Sequence, residues 1–365
     1  MPDIEKLRYW SYKQQRLGQQ GGSAPDVLKD VIAVYSWHPS ASLSLLARVK
    51  GMDAEDFYRL DREKLVLRIP AMRLSVHMAP KETAATILAA TIPGAEDPYW
   101  EKRYGGKIPK EEYSAYRKTI LKVCSKLRTV AEIKEVADLP EEVVKFLLNR
   151  IAFEGDILRV GADSLRSNIL SYVATKDWAK KEFVIPEKDK ALNWLAGEYL
   201  RAFGPARVKD FQWWAGVTAA KAKSAIAAHE TTDTGDGYLL LSSELKAFEK
   251  HRLTTKDSID ILPQWDCYTM GYAPDGRERF VSPDMQHHIY GKLGATGGNG
   301  LGTVLVNGMA HGAWDARFAG AKMNLSLRMF EKPAAKLQKD IHAKFEEVAA
   351  FLNAKTVAIT TTGRK

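Results

Sequence analysis

The chain has 365 residues and a formal net charge of +9, with 45% hydrophobic and 27% charged residues. This length allows about two to four domains, and the positive charge favours polyanionic partners, with nucleic acid ahead of an anionic membrane surface. The two cysteines, Cys124 and Cys267, exclude a disulfide framework and a cysteine-rich zinc site.

The amino-terminal residues and the hydropathy pattern argue against export and membrane insertion. Asp3, Glu5, Lys6 and Arg8 interrupt the region where a signal peptide has its apolar core. No apolar run reaches the length of a membrane span, so we expect no membrane association. We therefore predict a cytoplasmic protein with reduced cysteines, acting as a monomer.

Residues 1–108 are predicted to form a winged helix, which is a helix-turn-helix variant with a β-hairpin wing. Helices are predicted over residues 3–17 and from Pro25 onwards, because Pro is favoured at the first position of a helix. Residues 65–78 are rich in strand formers, and their apolar and polar side chains alternate towards the end. Helices followed by such a ribbon are typical of a winged helix.

The residues just before Pro39 form a candidate site. Pro39 disfavours helical geometry at His38, so the helix before it is predicted to end there, and Ser40 can cap the next helix. This places Tyr35, Trp37 and His38 together at the break. An aromatic pair and a histidine in this position can face a ligand. Alternatively, the two rings fill the interior of the helix-turn-helix, which is the more common use of such side chains.

The same order of elements recurs twice along the chain. Residues 109–186 and 187–245 each show helices followed by a strand or ribbon, which predicts two further winged helices. Residues 246–365 are richer in strands and glycines, with Asn307-Gly308 as a hairpin turn. They are predicted to form a small β-barrel or a curved sheet, closed by a helix over residues 334–352, with residues 353–365 as a frayed tail. The predicted fold class is α+β, with three tandem winged helices and a C-terminal β-barrel.

Three further motifs carry little functional weight. The glycine-rich stretch 291–302 lacks the Lys followed by Ser or Thr of a phosphate-binding loop and does not open a helix. His287-His288 has no acidic partner at ligand spacing, so we expect no metal site. Trp213-Trp214 is predicted to serve core packing.

Two lysines and one histidine have both a structural and a functional interpretation. Lys221 and Lys223 lie on the candidate recognition helix of the third unit, where lysines either form a solvated face or contact phosphates. His77 lies in a predicted wing strand. It is either a partly buried, hydrogen-bonded histidine or a residue that reaches a phosphate.

Four segments of the chain resemble a known protein family. They are residues 65–80 with Ala71-Met72-Arg73 and His77, 199–216 with Gly204-Pro205 and Trp213-Trp214, 261–272 with Pro263 and Asp266, and 305–314 with Asn307-Gly308. Together they are similar to the winged-helix DNA glycosylases of the AlkZ/YcaQ type over nearly the whole chain. The resemblance implies three tandem winged helices and a β-barrel around a DNA-binding concavity. It also implies excision of alkylated or crosslinked purine bases from double-stranded DNA, without a metal or another cofactor.

The chain departs from this family at the catalytic motif, which is Gln-x-Gln followed by Asp-Pro. Aligned on Pro39, Tyr35 and Trp37 occupy the two glutamine positions, and His38 occupies that of the aspartate. A glutamine carbonyl can accept a hydrogen bond from the attacking water, whereas the Trp37 indole only donates. Tyr35 can accept weakly, and His38 can act as a general base near neutral pH.

Three functions are therefore open on the sequence. The chain is a glycosylase with a variant site, a non-enzymatic DNA-binding regulator or lesion sensor whose aromatic pair fills the former pocket, or a protein-interaction scaffold without DNA contact. The first function requires Tyr35, Trp37 and His38 as the catalytic residues. The predicted DNA-binding residues are Arg73, His77, Lys221, Lys223 and Asp266.

Overall fold

The structure, a computed structural model, describes residues 3–36, 39–93, 99, 102, 108–161, 164–180, 183–252, 258–291 and 300–362. Over these residues the strands form three sheets, of six, five and two strands, with helices distributed among them. In the same ranges we find no helix that combines the length and the apolar character needed to cross a lipid bilayer.

The amino-terminal part consists of short helices around a β-hairpin. Helices α1–α5 span Ile4–Gln14, Ala24–Val31, Ser40–Leu46, Ala54–Arg62 and Lys81–Thr91, and strands β1–β3 span Val34–Tyr35, Val66–Pro70 and Val76–Pro80. The apolar faces of α2, α3 and α4 share one core with β2 and β3. Ser40 is the first residue of α3 and makes no capping hydrogen bond, in contrast to the prediction.

The prediction of one helix leading up to the proline is wrong. Ile32 caps the end of α2 with a φ of 73°, and after Ala33 the chain forms β1 at Val34–Tyr35. In β1, Val34 pairs with Met78 and Tyr35 pairs with His77, both antiparallel in β3. The β-branched, fully buried side chain of Val34 suits a strand, and the free edge of β3 supplies its hydrogen-bonding partner.

The first two units share one six-stranded sheet. The second unit contributes α6–α9 over Lys110–Val123, Val130–Ala137, Glu141–Phe153 and Thr175–Trp178, and β4–β6 over Arg128–Thr129, Ile157–Gly161 and Leu170–Ala174. The strand order is β1-β3-β2-β5-β6-β4, and Arg68 of β2 lies opposite Arg159 of β5. Arg68 donates to Asp61 at 2.5 Å and to the Ser36 hydroxyl at 2.8 Å, which fixes the chain just after β1.

The third unit packs against the first through a long helix. It contains α10–α12 over Lys188–Phe203, Val208–Ala215 and Ala219–Ala227, and β7 and β8 over Thr231–Asp233 and Leu239–Leu241. Helix α10 lies along α5, and the rings of Tyr199 and Trp214, 5.0 Å apart, join α10 to α11. The predicted order of helices and ribbons is present in all three units. Their identity as three separate winged helices stays a prediction.

The carboxy-terminal part is built on a five-stranded sheet. Helices α13–α15 span Leu245–Lys250, Gln286–Tyr290 and Ala335–Phe351, and strands β9–β13 span Ile259–Leu262, Gly302–Val306, Met309–Ala319, Lys322–Met329 and Thr356–Thr362. The strand order is β13-β12-β11-β10-β9. The predicted turn between β10 and β11 is confirmed, because Asn307 and Gly308 have φ angles of 50° and 79°, which the tight hairpin requires.

Two predictions about this part are wrong. The sheet is open, because β9 and β13 are its two edges and no strand pair within the described ranges joins them. The predicted closing helix is present as α15 and covers one face of the sheet, with Phe345 packed edge-on against Trp314 at 5.4 Å between ring centroids. The expected frayed tail is largely a strand, because the crossover through α15 returns the chain to pair parallel with β12.

Candidate functional site

A cleft of about 330 Å³ opens beside the β1–β3 pair. Its volume falls in the range of small-ligand sites, about 300–1,000 Å³. The polar and aromatic side chains that line it are Tyr35, Arg73, Ser75, His77, Trp214 and Trp265. The structure thus brings together three of the residues predicted from the sequence, namely Tyr35, Arg73 and His77.

Tyr35 stands at the end of β1, directly opposite His77 in the strand register. The two rings meet edge to face with 5.8 Å between their centroids, and the ring of Trp265 lies 5.0 Å from that of Tyr35 on another side. Burial raises the pKa of Tyr35, so its hydroxyl stays protonated at neutral pH. No residue in the described part of the chain forms a hydrogen bond with this hydroxyl.

His77 is held as a neutral imidazole of one defined tautomer. Its Nδ1 lies 3.0 Å from the backbone carbonyl oxygen of Ser75. Because a carbonyl oxygen can only accept a hydrogen bond, Nδ1 carries the proton and donates it. Burial lowers the pKa of His77 to about 4, with the nearby charge of Arg73 acting in the same direction. The other ring nitrogen, Nε2, is therefore a hydrogen-bond acceptor at neutral pH, and no described residue donates to it.

Arg73 extends from a tight turn between β2 and β3. Its guanidinium carbon lies 3.9 Å from the centroid of the Trp213 ring, in cation–π geometry. Its Nη1 is enclosed and has no hydrogen-bond partner, and no carboxylate pairs with it among the residues that the structure describes. Burial, together with the positive charge of Arg277, lowers the pKa of Arg73 to about 10, so the group stays charged at neutral pH.

The backbone of Arg73 is in the left-handed region, with φ 53° and ψ 32°. This conformation is unfavourable for a side chain other than glycine and persists where surrounding contacts hold it. One such contact is Gly216, whose φ is +74° and where an added Cβ would lie 3.1 Å from the Arg73 backbone. Gly216 therefore serves both the end of α11 and the close approach of the turn that carries Arg73.

Two of the predicted catalytic residues, Trp37 and His38, lie outside the described residues, and so does most of the glycine-rich stretch. Their roles stay predictions. Lys221 and Lys223 are described and are exposed on α12, but they do not line the cleft. Thr218 caps that helix by accepting from the amide of Lys221, so both lysines lie in its first turns.

The predicted direct DNA contact of Asp266 does not agree with its burial. Its carboxylate is fully enclosed and accepts from Nη1 and Nη2 of Arg48, both at 2.8 Å. The Ser44 hydroxyl donates a third hydrogen bond at 2.7 Å. Asp266 therefore anchors α3 and the residues that follow it to the segment containing Trp265, because a buried carboxylate is stable only when it is paired in this way.

Sequence reasoning did not assign Trp265 or Arg277 to the site. Trp265 packs on Tyr35 and has a φ of 60°, which no local sequence pattern indicates. Arg277 is fully buried, with its guanidinium carbon 3.7 Å from the centroid of the Tyr290 ring. An arginine in a run of charged residues, Asp275 to Arg279, gives the sequence signal of a solvated turn, and only packing removes it from solvent.

The similarity of the chain to known proteins agrees with this geometry. No curated protein matches its sequence significantly. Among solved structures it is similar to the Streptomyces sahachiroi DNA glycosylase AlkZ, with a TM-score of 0.75 and 17% sequence identity, covering 98% of this chain and 99% of that one. This likeness shows a shared fold. The family model described as DNA glycosylase AlkZ-like matches residues 26–351. The chain therefore belongs to the AlkZ-like DNA glycosylase family.

Proposed function

We propose that the protein binds double-stranded DNA and hydrolyses the N-glycosidic bond of a damaged purine in the cleft beside β1 and β3. The observation that carries the proposal is the convergence of three polar groups without hydrogen-bond partners in the described part of the chain. These are the hydroxyl of Tyr35, Nε2 of His77 and the guanidinium of Arg73. Nη1 of Arg73 is buried without a partner, and buried polar groups are normally satisfied, so the cluster around it indicates a ligand site.

The chemistry needs a positioned water and stabilisation of an oxocarbenium-like sugar. The bond between C1′ and the base nitrogen breaks, and its electron pair leaves with the base. The water oxygen then bonds to C1′ and its proton is released. His77 Nε2 can accept a hydrogen bond from this water, as a glutamine carbonyl would, and the Tyr35 hydroxyl can both donate and accept.

The low basicity of His77 defines its role. A ring with a pKa of about 4 is a poor general base near neutral pH, where a pKa close to the working pH is best. It orients the water as an uncharged acceptor. A stronger base, if the reaction uses one, has to come from elsewhere, and His38 is our candidate from the sequence.

Duplex binding is supported by the net charge of +9 and by the exposed lysines Lys221 and Lys223 on α12. Alkylated or crosslinked purines are the substrate class that the family resemblance suggests. We expect the protein to act as a cytoplasmic monomer.

The competing function is that of a DNA-binding protein without activity. The packing of Trp265 against Tyr35, with 5.0 Å between ring centroids, favours it, because these rings occupy space that a base would use. Incubation of the purified protein with duplex DNA carrying alkylated purines, scored for abasic sites, separates the two. Abasic sites that depend on Tyr35 support the enzyme. Lesion-dependent binding without abasic sites supports the sensor.

A further inference from the structure

Half-buried Arg73 differs from three other arginines in the interior because no described group accepts a hydrogen bond from its guanidinium. The guanidinium groups of Arg48, Arg68 and Arg279 all donate to a carboxylate or to a backbone carbonyl. Arg73 makes no hydrogen bond or ion pair with any described residue, and one of its nitrogens is completely enclosed. A cation withdrawn from water without an acceptor is unfavourable, so this site is built for an anion that the protein itself does not provide.

The Arg73 side chain is held in place before any ligand binds. The residue's backbone is fixed in the left-handed region against Gly216, and its guanidinium carbon lies over the Trp213 ring, 3.9 Å from the centroid. Such preorganisation lowers the entropic cost of binding, because the side chain has little rotamer freedom left to lose. A solvated surface lysine such as Lys221 has no comparable restraint.

A second cation strengthens the positive potential at this point. Arg277 is fully buried, and its guanidinium carbon lies 5.1 Å from the centroid of the same Trp213 ring. The repulsion between the two guanidinium groups adds to burial in lowering the pKa of Arg73. Both groups still carry their charge at neutral pH, so Arg277 adds to the positive potential behind the cleft residue Arg73.

Negative charge is missing from the rest of the cleft. Its lining side chains in the described ranges include no Asp or Glu. Asp266, which is close in sequence to the lining residues Trp265 and Cys267, is neutralised by Arg48. A glycosidic reaction with an oxocarbenium-like sugar is nevertheless favoured by negative charge nearby.

We infer that Arg73, stacked on Trp213, binds the phosphate group of the DNA that flanks the target nucleotide. The inference rests on the proposed function, since it requires duplex DNA at the cleft. A guanidinium presents its N–H donors in a planar fork that matches two phosphate oxygens. The bound phosphate offsets the charge of Arg73 and places a negative charge beside the sugar, where other glycosidic sites use a carboxylate.

DNA in which one phosphate is replaced by an uncharged analogue tests this contact. Affinity is measured for duplexes that contain one stable abasic analogue, with a methylphosphonate replacing the phosphate on its 3′ or its 5′ side. A methylphosphonate at a distant position serves as the control. For the unaltered protein, we expect one flanking substitution to weaken binding roughly tenfold or more relative to the distant one, the size of a lost charge-assisted contact. Equal affinity for all three duplexes overturns the inference without any variant.

The variant Arg73→Gln completes a double-mutant cycle with this substitution. It should weaken binding to the unmodified duplex by a similar factor and then be insensitive to the flanking methylphosphonate. Arg59→Gln removes the same charge from an exposed position on α4 and should keep the full sensitivity. If the loss of affinity from Arg73→Gln and the loss from the flanking methylphosphonate are additive, the contact is contradicted. A thermal melt of each variant checks that it is folded. Because the abasic analogue has no base to excise, a protein without glycosylase activity still gives a clear result.

Discussion

Tyr35 and His77 face each other across the β1–β3 pair, with their rings edge to face at 5.8 Å. This pairing places a phenol, which can donate and accept, beside an imidazole nitrogen that only accepts at neutral pH. The two groups reproduce the functions of an amide side chain with different chemistry. Under the proposed function, these two groups position the attacking water in place of the glutamines that the family resemblance implies.

His77 is expected to be needed for excision. In His77→Ala, the single-turnover rate of base release should fall by a factor on the order of a hundred, with duplex affinity little changed, because the lost hydrogen bond to water acts on the transition state. The same measurement on His38→Ala tests the base predicted from the sequence and should give a similar loss. If His38→Ala retains the full rate while His77→Ala does not, His38 is not the base.

The glutamine motif can be restored by the double change Tyr35→Gln and Trp37→Gln. The amide carbonyls accept hydrogen bonds more strongly than a phenol, and an indole does not accept at all. We expect base release by the double variant to be faster than by the unaltered chain. Abasic sites formed only by the double variant identify the unaltered chain as a lapsed glycosylase. A slower double variant shows instead that the aromatic site has its own mechanism.

The depressed pKa of His77 makes the folded state sensitive to acid. The pKa of a histidine is ordinarily 6.5, and that of His77 in the folded protein is about 4. Between these two pH values, the unfolded chain therefore binds more protons at this residue than the folded protein does. Stability contributed by neutral His77 is therefore present above pH 6.5 and is lost as the pH falls towards 4. At ~1.4 kcal/mol per pKa unit, the loss reaches about 3 kcal/mol.

Urea unfolding of His77→Gln from about pH 7 to about pH 4 tests whether His77 causes this acid sensitivity. Removing the imidazole should flatten the pH dependence of the unfolding free energy. His287→Gln, at an exposed histidine, is the matched control and should keep the slope of the unaltered chain. An unchanged slope in His77→Gln means that the ring is protonated in the folded state or exposed to water.

We expect Asp266 to stabilise the folded protein and not to contact DNA directly. Replacing it in Asp266→Asn leaves the fully buried Arg48 without its charged partner, so the free energy of unfolding should fall by about 3–5 kcal/mol. Chemical denaturation measures the loss, and Asp56→Asn at a surface ion pair should cost less than about 1 kcal/mol. If the Asp266→Asn protein is as stable as the unaltered chain but binds DNA more weakly, the direct contact predicted from the sequence is supported.

Lys221 and Lys223 are expected to contact phosphates of the duplex. Changing both to Gln should weaken binding to all sequences alike and flatten the dependence of log affinity on log salt by about two, since each lysine releases about one counterion. Lys336→Gln with Lys339→Gln removes two exposed lysines from α15 and provides the control. Equal slopes in the two double variants argue that α12 does not face DNA.

The sequence by itself determined many of the local elements and the family. Helix starts such as the Thr129–Glu132 capping box and the Asn307-Gly308 turn depend on neighbouring residues only, and they are found where local chemistry predicts them. The order of helices and ribbons follows from the same signals. The four family-like segments and the departed motif at Tyr35 are also visible in the printed chain.

Only the tertiary structure decided which of these residues meet. Val34 and Tyr35 form a strand because β3, about 40 residues later in the chain, offers a free edge. Asp266 is buried because Arg48, more than 200 residues earlier, neutralises it, and Arg73 is left unpaired because no carboxylate in the described ranges reaches it. These outcomes depend on contacts between distant parts of the chain, and neither periodicity nor local propensity carries that information.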